Sequence, residues 1–145
     1  MIIVDADACP SKEEIIAVAR EFGVQVLLVA SYAHRMPEHE HVMVRQTDSV
    51  PEAVDLIIMN EVVPGDIVIT QDYGLAAVVL GKRAKVLSPR GLMYTEQNID
   101  MLLETRNLHA RIRRSGGHTK GPAPYTKSDQ LKLVQELQNL LSERI

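Results

Sequence analysis

The side chains able to do chemistry in this sequence are carboxylates, and they recur at one kind of place. Asp5 and Asp7 follow the apolar run Ile2-Ile3-Val4, Asp48 follows a run begun at Val42–Val44, and Asp72 follows Ile67–Thr70. Short continuous apolar runs of this sort read as buried parallel strands. Glu52 and Asp55 lie three apart near the start of a helical pattern, hence on one face of it. Open parallel sheets bind ligands outside the carboxyl ends of their strands, so these six acids converge where a site is expected. Two carboxylates about 4 Å apart repel by about 4 kcal/mol at an effective dielectric near 20, so such a cluster needs protons or a cation. Oxygen-only ligands suit Mg²⁺ or Mn²⁺, which keep several waters and commonly bind phosphate oxygens. One or two such ions can orient a water and neutralise the leaving oxygen in phosphodiester hydrolysis. A plainer assignment competes with this: Asp5 and Asp72 bond neighbouring loop amides, Asp48 caps a helix, and Glu52 favours a helix N-terminus.

The elements that must position these acids alternate in type. Ser11-Lys12-Glu13-Glu14 has the capping-box pattern, and Ile15, Val18, Ala19 and Phe22 recur at helical spacing before Gly23. Val24–Ala30 reads as a strand, residues 34–41 as a polar loop, and Val42–Val44 as a further short strand. Ser49-Val50-Pro51-Glu52 offers a second capping box for a helix over about residues 50–63. Ile67–Thr70 and Ala84–Leu87 are strands flanking a helix at Leu75–Leu80, and Thr95-Glu96 opens a helix to about Asn107. Ser128 is expected to cap a last amphipathic helix carrying Leu131, Leu133, Val134, Leu137, Leu140 and Leu141. The stretch between these two helices, about residues 113–126, reads as a basic Gly/Pro loop. Strands alternating with helices predict an α/β fold in three layers, a mainly parallel central sheet with helices on both faces.

With 145 residues and 16.2 kDa, a single domain over residues 1–145 is the expectation. At 46% hydrophobic and 24% charged residues, a disordered or collagen-like chain is excluded. The lone Cys9 excludes an internal disulfide framework and fits a reducing compartment. No apolar stretch is long enough for a membrane span and Met1 leads straight into Ile2 without a basic leader, so a soluble cytoplasmic protein with no membrane partner is expected. Charge is divided: residues 1–80 hold 13 acids against 4 Lys or Arg, and residues 81–145 hold 6 against 12. The basic share is concentrated between Lys82 and Lys127, where Arg113, Arg114 and Lys120 flank a Gly-Gly turn and could present charge to phosphates. A solvated loop is the competing reading. Four Tyr and one Phe are too few for a base-stacking platform, although Tyr125 beside the loop could stack one base. His34, His39 and His41 lack Cys partners and read as a solvent-facing loop rather than a zinc site. Cys9 has no nearby His to activate it and reads as a small buried side chain.

Three segments together carry a resemblance: Val4-Asp5-Ala6-Asp7-Ala8-Cys9-Pro10, then Gly65-Asp66-Ile67-Val68-Ile69-Thr70-Gln71-Asp72-Tyr73-Gly74-Leu75-Ala76, then Thr119-Lys120-Gly121-Pro122 with Thr126 and Asp129. The chain resembles the bacterial YaiI/YqxD family over essentially its whole length, and that family is similar to PIN-like and NYN-type nuclease domains. The resemblance implies a PIN-like domain, a divalent metal, and RNA as partner and substrate. It also implies roles: Asp5, Asp55 and Asp72 hold the metal, Asp7 or Glu52 orients water or a second ion, and Thr70 bonds a carboxylate. Glu52 departs from the usual Asp of the paired helix acids, and Asp48 is an alternative to it. Homo-oligomer formation is left open. Two other functions compete. An apolar run followed by Asp5-x-Asp7 also resembles the nucleophile and acid of haloacid-dehalogenase-type phosphatases. A non-catalytic RNA-binding module on the same fold is the other.

Overall fold

The computed structural model describes residues 1–31, 39–47, 50–121 and 123–144. Asp48 and Ser49, and with them one candidate carboxylate and the expected cap of the second helix, lie outside the described residues, as does His34. The chain runs β1 (Ile2–Asp5), a short 3-10 helix (Ala6–Ala8), α1 (Lys12–Glu21), β2 (Val26–Ala30), β3 (Val42–Gln46), α2 (Pro51–Glu61), β4 (Ile67–Ile69), α3 (Tyr73–Gly81), β5 (Lys85–Leu87), β6 (Met93–Tyr94), α4 (Glu96–Arg114) and α5 (Lys127–Ser142). The six strands form one sheet in the order β3-β2-β1-β4-β5-β6, parallel at every pairing except the antiparallel β5–β6 edge.

Alternation along the strands builds two cores. Ile2 and Val4, Val26 and Leu28, and Ile67 and Ile69 face α1 and α5, burying Ile15, Ala19, Leu133 and Leu137 with them. Ile3, Leu27, Val29, Val68 and Val86 face the other way, onto Val54 and Ile58 of α2, Leu75 and Val79 of α3, and Ile99 of α4. Strands buried on both faces carry no polar alternation, which is why they appear in the sequence as unbroken apolar runs. The three-layer α/β expectation therefore holds. Leu131 does not join the core: it is 58% exposed on the outer side of α5.

Several local expectations need correction. Ser11 precedes α1 without capping it, because its hydroxyl meets the Tyr125 hydroxyl at 2.7 Å instead. Val50, in extended conformation, precedes α2, with Pro51 supplying the preset φ of the first turn. The last helix is capped not by Ser128 but by Thr126. Thr126 Oγ1 accepts from the Asp129 amide at 3.1 Å, and Asp129 accepts from the Thr126 amide at 2.9 Å. Arg90 Nη1 adds an ion pair to Asp129 at 2.9 Å. The Thr126 amide, the Thr126 hydroxyl and Arg90 together hold the Asp129 carboxyl below its ordinary range. The largest correction is α4, which runs two turns past Asn107, so Arg113 and Arg114 stand on its last turn rather than in a loop. The two-residue strand β6 has no signature in the sequence.

Candidate active site

The sheet order fixes where a ligand belongs. From β1 the chain moves outward through β2 and β3, then returns to β4 on the other side of β1 and moves outward again. The carboxyl ends of β1 and β4 therefore flank the point where the winding reverses, and crevices at such points are the binding sites of open α/β sheets. Asp5 ends β1, and Asp72 stands three residues beyond β4. A cleft of about 480 Å³ opens there, lined by Asp5, Asp7, Asp55 and Asp72 together with Ala8, Ser31, Val54, Gln71, Tyr73 and Arg106. A larger hollow of about 880 Å³ between Arg20 and His41 lies near Gln25, before β2 begins, away from the converging carboxylates.

Each acid is held differently. Thr70, fully buried, donates its hydroxyl to Asp5 Oδ2 at 3.0 Å and accepts the Asp72 amide at 3.0 Å, so one side chain ties the two strand ends together. Asp72 caps α3, accepting the Leu75 amide at 3.1 Å. The plainer assignment of Asp72 is thus correct as far as it goes, yet the same carboxylate lines the cleft. Asp7 accepts the Ser31 amide at 3.0 Å on both oxygens, and the Ser31 hydroxyl as well. Asp5 Oδ1 accepts from no donor among the described residues. Burial raises the Asp5 pKa despite the Thr70 bond, with the charges of Asp7 and Asp72 adding to the rise. Asp55 goes further, from its ordinary 3.8 up to about 6, through desolvation first, then the charges of Asp72 and Asp5, a carboxyl–carboxylate bond to Asp72, and Glu52. A desolvated carboxyl with other carboxylates beside it occupies a space that favours protons or a cation.

Among the described residues, no three carboxylate, imidazole or thiolate groups stand close enough to form a closed cage for a metal. Mg²⁺ does not need one: it retains several waters and is held through one or two carboxylates. The donor set, oxygen only, with Asp5 Oδ1 accepting from no donor among the described residues and Asp55 and Asp72 lining the same cleft, fits that mode. Glu52, exposed at the start of α2, acts on Asp55 through its charge and does not line the cleft. His39 and His41 are taken up elsewhere: His39 bonds Arg20 at 2.9 Å, and His41 meets the Ile16 carbonyl at 3.1 Å. Cys9 is buried and its thiol is pushed up to about 11 by desolvation, as a packing residue should be.

Two cleft residues had escaped sequence reasoning. Ser31 follows the end of β2 beside β1, and the carboxyl-end rule that selected the acids would have selected it too. Arg106 comes from the middle of α4, and nothing in its spacing marked it. Lys120 follows Thr119, whose hydroxyl accepts from Arg113 at 3.0 Å; neither Arg113, Arg114 nor Lys120 lines the cleft itself.

The family model described as "Uncharacterized BCR, YaiI/YqxD family" matches residues 3–143. The chain belongs to that family. This YaiI/YqxD-family chain is 46% identical over 145 residues to a UPF0178 protein of Natranaerobius thermophilus, with 99% of this chain and 95% of the relative covered. It is 44% identical over 143 residues to a UPF0178 protein of Halalkalibacterium halodurans, covering 99% and 91%. A UPF0178 protein of Bacillus velezensis is 46% identical over 145 residues, covering 97% and 84%. No solved structure matches the chain. Among the described residues no helix is long and apolar enough to cross a membrane.

Proposed function

We propose that this YaiI/YqxD-family chain is a divalent-metal-dependent nuclease that hydrolyses phosphodiester bonds, with RNA as its substrate. The cluster of Asp5, Asp55 and Asp72 holds Mg²⁺ or Mn²⁺ through one or two of these carboxylates directly and through coordinated water to the rest, with Glu52 adding negative charge from the start of α2. The observation that carries this reading is the elevation of Asp55, by desolvation first and then by the charges of Asp72 and Asp5, at the reversal point of the sheet. A partly desolvated carboxyl crowded by other carboxylates is the arrangement that a hard cation relieves. When bound, the cation neutralises phosphate charge and lowers the pKa of a coordinated water. Thr70 fixes the Asp5 and Asp72 carboxylates relative to one another. Asp7, immobilised by Ser31, orients the attacking water at the cleft edge. Arg113, Arg114 and Lys120 supply cationic charge to the polyanion.

The phosphatase reading requires a lysine at the phosphoryl group, and no lysine lines the cleft among the described residues. Acid quenching under turnover distinguishes the two, because a phosphatase of that kind traps a phosphoryl adduct on Asp5 and a nuclease forms none. The direct test is cleavage of structured and unstructured RNA in Mg²⁺ or Mn²⁺ by the parent, Asp5→Asn and Asp72→Asn, with folding followed by circular dichroism. Loss of cleavage in both folded variants is expected. Undiminished cleavage in either one overturns the reading. RNA binding that survives EDTA, with no cleavage at any Mn²⁺ concentration, makes the chain a binding module instead.

A further inference from the structure

Helix α4 changes character along one face. At 3.6 residues per turn, positions separated by three, four and seven residues share a side. Ile99, Leu102 and Leu103 form the inward side of the first half and pack on the α2–α3 core. The same side then carries Arg106 and Arg113, and Arg106 lines the acidic cleft. Arg111, by contrast, stands on the outer groove with Met101, Glu104, Leu108 and Arg114. Basic residues in a last helical turn favour the helix dipole wherever they point. That explains Arg111, Arg113 and Arg114 alike, but not Arg106 two turns earlier.

Arg106 lies in a cleft of carboxylates yet forms no ion pair within 4 Å among the described residues. Gly74 leaves it room: a Cβ there would sit 3.3 Å from both Arg106 Nη1 and Asp72 Oδ1. Arg113 donates one N–H to Thr119 Oγ1 at 3.0 Å, which holds its guanidinium while its remaining donors have no partner among the described residues. Seven residues of helix separate the two arginines by about 10 Å, more than one phosphate group spans. We propose that the inward face of α4 is a backbone track, with Arg106 and Arg113 binding phosphates of a single polynucleotide strand that leaves the cleft along the helix. This rests on the nuclease reading for the cleft and adds the path and length of the substrate: a chain, not a mononucleotide.

The test is binding of a labelled single-stranded oligoribonucleotide, followed by fluorescence anisotropy across a monovalent salt series. It is done in EDTA on the full Asp5→Asn chain, so that cleavage does not interfere. Each lost phosphate contact should flatten the plot of log K against log salt by about 0.7. Arg106→Ala and Arg113→Ala are each expected to flatten it by about that much and their combination by about 1.4, while Arg111→Ala leaves it unchanged. Equal slopes in all four, or an Arg111→Ala loss as large as that of Arg113→Ala, overturn the track. Cleavage lost in Asp5→Asn and Asp72→Asn alongside slopes that the arginine substitutions leave unchanged removes the track and leaves the nuclease. Slope changes without any cleavage by the parent remove the nuclease and leave the track.

Discussion

Replacing Asp55 by Asn should stabilise the metal-free protein at neutral pH and do little in acid. Asp55 binds its proton more tightly in the folded chain than in the unfolded one, since its pKa rises from 3.8 to about 6. The stability it contributes is fully present below 3.8 and is lost as pH climbs through about 6. At 1.36 kcal/mol per unit the shift has a ceiling of about 3 kcal/mol. The side chain is only partly buried, and solvent screening brings the usable figure to about 1 kcal/mol. In a chain of this size that corresponds to about 3 °C in Tm. Thermal unfolding in EDTA, followed by circular dichroism at about pH 3.5 and 7.5, measures it. Asp55→Asn should match the parent closely at the lower pH and exceed it by about 3 °C at the higher. An Asn variant that gains equally at both pH values, or that is less stable at pH 7.5, refutes the carboxylate crowding on which the cleft was interpreted.

Further outcomes follow from the same geometry. Millimolar Mg²⁺ or Mn²⁺ should raise the parent's Tm, by about 2.7 kcal/mol of stabilisation at a hundredfold excess over Kd, and Asp5→Asn should show no rise in the same calorimetric scan. Thr70→Val removes a donor to Asp5 and strips the Asp72 amide of its acceptor. Urea unfolding should show a loss of about 1–3 kcal/mol, with cleavage falling further than that loss explains. Gly91 has φ +85°, and a Cβ there would meet the Lys132 and Leu133 backbone of α5 at 2.7 and 2.8 Å. Gly91→Ala should therefore cost about 2–4 kcal/mol by the same assay, while a Gly116→Ala control, with φ +86° but open space around its Cβ, should cost less.

What was legible in the sequence depended on whether one physical effect dominated locally. Ile2-Ile3-Val4 and Val68-Ile69-Thr70 are buried on both faces, so hydrophobicity alone marked the strands, and with them the ends where Asp5 and Asp72 stand. Periodicity failed on α4 for a physical reason: beyond Leu103 its inward side no longer packs on the core, and Arg106 and Arg113 replace the apolar residues that would have announced a helix. Caps were ambiguous because hydroxyls have more than one partner in reach. Ser11 had the right spacing to cap α1, but Tyr125, over a hundred residues later, takes its hydroxyl. Thr126 and Asp129, part of the third family-like segment, serve as a helix cap; their spacing fits chemistry and capping equally well. Arg106 was invisible because its place at the cleft comes from the packing of α4 on α3, a long-range contact with no local pattern.

The hydrogen bonds at the two ends of the segment between α4 and α5 have an engineering consequence. Arg113 fastens one end through Thr119. Tyr125, donating to the Pro89 carbonyl at 2.8 Å, and Arg90, reaching the Ala123 and Pro124 carbonyls, fasten the other. Between fixed posts, closing a longer span adds only about 0.6 kcal/mol per doubling of length. A peptide tag or recognition cassette spliced beside Gly121 should therefore be carried with little thermodynamic penalty, whereas the same insert between Tyr125 and Thr126 would unfasten the latch and the cap of α5 together.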